Sequence, residues 1–258
     1  MMGRTHASTG AAAWLSGCTV AAVLGHPPGV YELAVGTSLA AFGAVLPDID
    51  CPSSSIAHSL GPPTRVLAWL VAWAGKRIHA ATRTPLDRPD RDGHRTITHG
   101  LLFVIVAGIG FGWLGVHGTV WAVAGMTGLA AATALRALKV HGIGRYVAAV
   151  AVALAGWHWP APSGWWQGCA IGAGVLVHNL GDRQTNTGVP LLWPIKIRGQ
   201  RWYQFRAARW VRFETGADGN PEGLIRWVCG LVCAMSVFGL AYAQWPEQVH
   251  DFMASIAR

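Results

Sequence analysis

Seven stretches of the chain carry almost no charged residue, and this pattern limits what the chain can fold into more than any other feature. They are apolar and rich in glycine and tryptophan, and they cover residues 7–25, 30–47, 100–117, 119–135, 146–159, 165–181 and 224–245. A helix that crosses a bilayer needs about 20 apolar residues. We therefore expect an all-α fold: a polytopic membrane bundle of about six or seven apolar helices, with a small irregular or hairpin insertion. We expect residues 1–258 to form a single membrane-embedded domain.

The composition excludes several other classes of protein. Hydrophobic residues make up 52% of the 258 residues and charged residues only 12%, whereas a soluble domain carries about 25% charged residues. So few charges cannot cover the surface of an ordinary soluble enzyme, and they do not fit a disordered chain or a coiled coil. The five cysteines form no CxxC pair, so we expect no disulfide framework.

The basic residues indicate how the chain crosses the membrane. Of the 20 lysines and arginines, 16 lie in three polar connections, 76–98, 136–145 and 183–222. If the N-terminus is cytoplasmic and every apolar segment crosses, all three connections fall on the cytoplasmic side, as the positive-inside rule requires. We therefore predict a multi-pass protein of the bacterial inner membrane with cytoplasmic loops 48–98 and 183–222. A shorter apolar stretch, 66–75, predicts a helix that lies at the membrane interface.

Three motifs near the predicted cytoplasmic helix ends carry histidine and aspartate. They are LPDID (46–50), HRTITH (94–99) and HNLGD (178–182). Imidazole and carboxylate groups are common ligands of zinc and of other transition metals. The spacing of four places His178 and Asp182 on the same helix face. Each motif also has a plainer interpretation: solvated acids after a helix, interfacial histidines beside a capping threonine, and a surface ion pair.

The joint placement of these motifs favours a metal site. In the topology derived from charge they all lie on the cytoplasmic side, together with a histidine that precedes the first apolar segment. Ionisable residues near membrane depth are costly and are usually functional. We predict a site for one or two divalent ions, zinc being the favoured metal, with the candidate ligands His6, Asp48, Asp50, His94, His99, His178 and Asp182. Asp50 and Asp182 are also the candidates for a catalytic base or for a carboxylate that orients a histidine.

The motifs are similar to those of a known family. LPDIDCP (46–52), HRTITHG (94–100), HNLGD (178–182) and GVPLLWP (188–194) resemble the YdjM-like family of inner-membrane-associated proteins. These are described as metal-dependent hydrolases and, in some relatives, as binding the LexA regulator. The resemblance covers about residues 4 to 232 and implies that His6 belongs to the pattern. Cys51 stands where relatives often carry histidine; it could bind a soft metal as a thiolate or serve only in packing, and we favour packing. The other differences, Thr96 and Gly100, remove no candidate ligand.

A basic and aromatic stretch follows the last motif. Residues 195–213 read IKIRGQRWYQFRAARWVRF; a turn at Gly199-Gln200 predicts a small hairpin over the site. This mixture suits anionic lipid headgroups, a basic anchor without a specific ligand fits as well, and direct nucleic-acid binding is the least expected. Asn220, Pro221 and Glu222 predict the N-terminal cap of the last helix; as an alternative, Glu222 approaches the site.

Two classes of function remain open at this point. The first is a membrane-bound metal-dependent hydrolase that acts on a phosphoester or lipid-derived substrate at the cytoplasmic face. The alternative is a non-enzymatic membrane scaffold with a structural metal site, which would bind a cytosolic regulator protein. Transport is disfavoured because the ionisable residues lie at one membrane edge, whereas transporter sites lie near the middle of the bilayer.

Overall fold

A computed structural model describes residues 2–90, 92–158, 164–214, 221–245 and 249. Within these ranges the fold is helical and no strand is longer than an isolated bridge, so the prediction of an all-α bundle is confirmed. The long helices are α1 (Gly3–Val23), α2 (Val30–Gly43), α3 (Pro62–Thr82), α4 (Leu101–His117), α5 (Val120–Ala137), α6 (Ile143–His158), α7 (Trp165–Arg183) and α8 (Pro221–Gln244). Short 3₁₀ helices cover Leu46–Asp50, Ile97–His99 and Arg209–Val211. The five cysteines carry no disulfide, as expected.

Helix α7 lies at the centre of the bundle. It packs against α4, α2 and α1, while α8 covers α1, and α5 and α6 pair beside α2. The fully buried apolar side chains Val35, Leu39, Ile171 and Val175 lie in one core cluster formed largely by α2 and α7. The contact between α2 and α7 is what brings the end of α2 beside the last turns of α7.

Small residues permit two close helix crossings. A Cβ atom added to Gly174 on α7 would overlap the Ala40 carbonyl of α2, and one added to Gly43 would overlap the backbone of Ile171. On the other side of α7, a Cβ atom on Gly168 would overlap the Gly108 carbonyl of α4. In a bilayer, such close backbone approach supplies the packing contacts that hydrophobic burial supplies in water.

Several helices suit a membrane environment. Val30–Asp50, Val120–Ala137 and Pro221–Gln244 are long and apolar enough to cross a bilayer, and Leu101–His117 and Ile143–Ala155 are shorter apolar helices. Only 17% of the apolar window of α8 is buried within the protein, so most of its apolar surface faces outward. A helical membrane bundle accounts for this exposure, because lipid rather than water contacts these side chains.

The segment 183–213 forms the irregular insertion that the sequence predicts. Ile197 and Gln200 form an antiparallel bridge, and the residues between them, Arg198 and Gly199, both have positive φ. The turn is thus centred one residue earlier than predicted, because this hairpin turn requires positive φ at both central positions and favours glycine at the second. The buried carboxylate of Asp87 accepts hydrogen bonds from the backbone N–H groups of Arg201 (3.2 Å) and Trp202 (3.0 Å), which fastens the insertion to the loop after α3.

Candidate metal centre

Four separate parts of the fold supply the candidate metal ligands. One is the first turn of α1, another is the 3₁₀ helix after α2, the third is the segment before α4, and the last is the final turns of α7. The structure brings all seven predicted residues into one connected cluster of short contacts. Most of their side chains are fully buried; Asp48 is 15% and His94 28% exposed.

The proton on His178 can be assigned from its backbone partner. Its Nδ1 lies 2.8 Å from the carbonyl oxygen of Ala44, at the end of α2. A carbonyl oxygen only accepts hydrogen bonds, so Nδ1 carries the proton and the lone pair of the neutral ring is on Nε2. The close crossing at Gly43 and Gly174 allows this contact, because it brings the free carbonyl at the end of α2 within reach of α7.

Side chains orient His99 in such a way that its Nδ1, like that of His178, faces oxygen acceptors. The hydroxyl of Thr98 donates to Asp50 Oδ2 at 2.6 Å, and its oxygen lies 2.9 Å from His99 Nδ1. Asp50 Oδ2 itself lies 3.3 Å from the same nitrogen. Since both oxygens are available as acceptors there, Nδ1 of His99 carries the proton and the lone pair lies on Nε2.

These two lone pairs face each other in the buried centre. The Nε2 atoms of His99 and His178 are 3.1 Å apart, and two unprotonated nitrogens cannot form a hydrogen bond with each other. Asp48 Oδ1 lies 3.9 Å and 3.7 Å from them, and Asp182 Oδ2 lies 3.7 Å from each. Ligands about 2.0–2.2 Å from a tetrahedral metal are about 3.3–3.6 Å apart. His99, His178 and Asp48 therefore fit one divalent ion, and Asp182 Oδ2 lies close enough to both nitrogens to be a candidate fourth donor.

His6 and Arg95 hold Asp182 from outside this group. His6 Nε2 lies 3.2 Å from Asp182 Oδ1, and its ring stacks on His178 with centroids 3.8 Å apart. The guanidinium of Arg95 lies 2.8 Å from Asp182 Oδ2 and also donates to Thr185. These contacts fix the orientation of the carboxylate relative to the two facing nitrogens.

Asp50 occupies the other side of the centre and supports two histidines. Its Oδ1 lies 2.7 Å from His94 Nδ1, and its Oδ2 also accepts the backbone N–H of Arg95 at 3.0 Å. Burial lowers the pKa of His94, but the hydrogen bond to Asp50 and the carboxylate charge outweigh it, so the pKa lies above its usual 6.5. His94, which is partly exposed, is therefore suited to exchange protons near neutral pH.

The described residues offer three groups that could hold a metal ion. Within each group the ligand atoms lie within 4.8 Å of one another, and the groups are His6–His178–Asp182, Asp48–His99–His178 and Asp50–His94–His99. The four-donor arrangement takes His178 and Asp182 from the first group and Asp48 and His99 from the second, and leaves out His6. Ligation by each of the seven residues stays a prediction; the contacts of His6, Asp50 and His94 join them to other candidate ligands.

Sequence reasoning missed several residues of the centre. Arg95 was not among the candidate site residues, although it directly follows His94. The sequence signal that could have identified it is a positive charge within a histidine motif. In the structure it adopts a left-handed φ of +59°. The capping threonine was expected to be Thr96 or Thr98, but Gly100 is the N-cap residue of α4; Thr96 precedes the 3₁₀ helix Ile97–His99 without a side-chain cap bond, and the Thr98 hydroxyl donates to Asp50. The Ala44 carbonyl has no side-chain signal and could be found only from the fold.

Glu222 approaches the centre, which was the alternative to its capping role. Its fully buried carboxylate accepts hydrogen bonds from the hydroxyl of Thr5 (2.7 Å) and the backbone N–H of Met2 (3.0 Å). It thereby binds the first turn of α1, next to His6. Asn220, the predicted cap, lies outside the described residues.

An open cavity of about 750 Å³ adjoins the centre. Asp48 and His94 line it, as do the arginines Arg88, Arg95 and Arg206. Asp90 and Asp92 also border it, but each accepts a backbone N–H group of the loop before His94. Cys51 lines the same cavity and contacts Ser53 (3.3 Å between Sγ and Oγ). A substrate in this cavity would have direct access to Asp48 and His94.

The fold and the site together define a membrane helical protein with buried histidine and aspartate groups that could bind a metal ion. The chain belongs to the YdjM inner membrane protein family, whose model matches residues 1–246. This match confirms the resemblance seen in the motifs and places the protein among inner membrane proteins. No curated protein and no solved structure matches the chain.

Proposed function

We propose that the protein is a membrane-bound metal-dependent hydrolase that acts on a phosphoester or lipid-derived substrate at the cytoplasmic face. The observation that carries the proposal is the pair of facing Nε2 atoms of His99 and His178, 3.1 Å apart, with carboxylate oxygens of Asp48 and Asp182 at 3.7–3.9 Å. A buried centre of two bare nitrogens and two carboxylates favours a divalent cation, with zinc as the first choice.

The residues around the ion would have different roles in hydrolysis. When bound, the cation supplies Lewis-acid polarisation of the ester and makes a water molecule acidic. Asp182, held by His6 and Arg95, is a candidate base. Asp50 orients His94 and His99, which is the other role considered for it. His94 borders the cavity, and its raised pKa suits transfer of a proton to the leaving oxygen.

The charge of the cavity favours an anionic substrate. A divalent ion balances the charges of Asp48 and Asp182, and the three arginines of the lining, Arg88, Arg95 and Arg206, then outnumber its other two acids, Asp90 and Asp92. Arginine binds phosphate oxygens with its planar fork of donors. The concentration of basic residues on the loops at this end of the bundle supports its cytoplasmic orientation and a multi-pass topology.

Metal content and turnover of the purified protein test the proposal. We expect one or two zinc equivalents after metal loading, and metal-dependent hydrolysis of a phosphate mono- or diester probe. His178→Ala should lose the metal and the activity. His117→Ala is the matched control, because His117 is exposed at the far end of α4, and it should retain both.

The outcomes separate the hydrolase from its alternative. Absence of bound metal under replete conditions would contradict the metal centre itself. Stoichiometric metal without turnover of any phosphoester probe would favour a structural site in a membrane scaffold that binds a cytosolic regulator. The exposure of Asp48 to the cavity supports the hydrolase, because a purely structural centre does not need an open side.

A further inference from the structure

Helix α3 has two faces with different surroundings. One face is buried against the protein at intervals of three and four residues, at Ala68, Ala72, Gly75 and His79. The other face presents large apolar side chains that are 47–61% exposed, namely Val66, Trp69, Leu70 and Trp73. The second set also follows the i, i+3, i+4, i+7 spacing of a single helix face.

The position of α3 differs from that of the membrane-spanning candidates. Its 21 residues would extend about 30 Å, enough to cross a bilayer. It is nevertheless absent from the helices that are apolar enough to cross. Its main packing partners are the short 3₁₀ helices Leu46–Asp50 and Ile97–His99, at the end of the bundle, rather than the flanks of the long helices.

The charges on α3 indicate what its apolar face meets. The sequence Pro62–Thr82 contains no acidic residue and carries Arg65, Lys76 and Arg77. The Arg77 guanidinium lies 5.5 Å from the centroid of the Trp73 ring, so this charge sits at the border of the apolar face. An apolar stripe with tryptophan and flanking bases is typical of a helix that lies in the surface of an anionic membrane.

We infer that α3 lies in the headgroup layer of an anionic bilayer, with Val66, Trp69, Leu70 and Trp73 toward the acyl chains, and that the cavity at the metal centre opens at this level. His79, on the buried face, lines the same cavity as Asp48 and His94. A helix is about 10 Å across, so the cavity lies about one helix diameter from the apolar face of α3.

This placement narrows the class of substrate. The headgroup of an anionic phospholipid can reach the cavity from the bilayer without leaving the membrane surface, and the arginines of the cavity suit its phosphate. The choice of substrate rests on the proposed hydrolase, whereas the depth of α3 does not. The two can therefore fail separately.

Photolabelling of the full-length protein in lipid nanodiscs tests the depth of α3. One phosphatidylglycerol probe carries a diazirine near the glycerol, and a second carries it at the end of an acyl chain. We expect the shallow probe, but not the deep one, to label residues 66–73, while the deep probe labels the exposed face of α8 around Trp227 and Leu231. Deep labelling of α3 would mean that it spans, and absence of both labels while α8 is labelled would mean that it faces water or protein; either result overturns the inference.

Changing the charges tests the lipid preference. In wild-type protein we expect the shallow phosphatidylglycerol probe to label α3 more strongly than a matched phosphatidylcholine probe does, and the triple variant Arg65→Gln, Lys76→Gln, Arg77→Gln should lose this preference. The control variant Arg136→Gln, Lys139→Gln, at the end of α5, should keep it. An equal response in the triple variant would overturn the anionic preference. Correct labelling without hydrolysis of phosphatidylglycerol would reject the substrate and leave the membrane position of α3 standing.

Discussion

The two halves of the candidate metal centre are held in different ways. On α7, His178 and Asp182 follow from regular helical spacing, and His178 is oriented by a backbone carbonyl of α2. Before α4, His94 and His99 lie on an irregular segment, and both depend on the single carboxylate of Asp50. The first half is built by helix packing, which no single polar substitution removes. The second half is built by one side chain, and it is therefore the more vulnerable to mutation.

The largest effect on metal affinity outside the four-donor arrangement is expected at Asp50. Asp50→Asn removes the charge that holds His94, the Thr98 hydroxyl and the Arg95 N–H. Loss of such an orienting partner weakens metal binding by about 10- to 100-fold, and we expect a value at the upper end because two histidines are affected. Competition with a zinc chelator measures the affinity.

A matched control for Asp50 lies in the same loop. Asp92 is exposed and accepts the backbone N–H of His94, at 3.1 Å. Asp92→Asn should bind zinc nearly as tightly as the wild type. Equal affinities of the wild type and Asp50→Asn would show that the segment before α4 does not depend on this carboxylate.

A smaller effect is expected at Thr98, which relays the orientation of Asp50 to His99. Thr98→Val keeps the shape of the side chain but removes the hydroxyl that contacts both partners. We expect zinc affinity to fall by about tenfold, at the lower end of the range for an orienting partner. Thr98→Ser restores the hydroxyl and should recover most of the affinity; a serine variant as weak as the valine variant would contradict the relay.

Removing the charge that holds the first turn of α1 should have a still smaller effect on zinc affinity. Glu222→Gln keeps an acceptor but removes the charge from the hydrogen bonds to Thr5 and Met2, a loss of about 1 kcal/mol. If this loosens His6, zinc affinity falls by about fivefold. Glu32→Gln is the control, since Glu32 caps α2 at the opposite end of the bundle. A similar loss in both variants would point to general destabilisation.

The smallest effect on metal affinity is expected at Asp87, which holds the 183–213 insertion rather than the centre. Asp87→Asn should accelerate hydrogen exchange of the Arg201 and Trp202 amides by about tenfold or more, because hydrogen bonds to a charged acceptor contribute about 1.5–3 kcal/mol. Zinc affinity should stay unchanged. Mass spectrometry of peptic fragments covering 197–204 measures the exchange.

The difference in amide hydrogen exchange between the wild type and Asp87→Asn should depend on pH, and the direction of this dependence can be worked out. Burial raises the pKa of Asp87, but the hydrogen bonds from Thr84, Trp202 and Arg201 outweigh it and hold the pKa below its usual 3.8. The stabilisation by the carboxylate is therefore present above that pH and is lost as the pH falls through the lowered pKa. The difference between wild type and Asp87→Asn should shrink below pH 3.8; a difference that grows on acidification would contradict this role.

The sequence by itself determined the helical membrane architecture and the residue types of the centre. Long apolar segments have few alternatives to helices in a bilayer, because every backbone polar group must find its partner within the segment. The motifs supplied the histidines and aspartates, and the asymmetry of basic residues predicted that they share one side. These inferences depend on local composition and on spacing, both of which can be read directly from the sequence.

Only the tertiary structure determined which of these residues face each other and which partners orient them. The facing nitrogens of His99 and His178 depend on a backbone carbonyl at Ala44, on the close crossing of α2 with α7, and on a hydroxyl that was expected to cap a helix. Likewise, Glu222 binds the first turn of a helix more than 200 residues away in sequence. Such partners are set by packing between distant segments, and a hydrogen bond to a backbone group leaves no trace in residue identity.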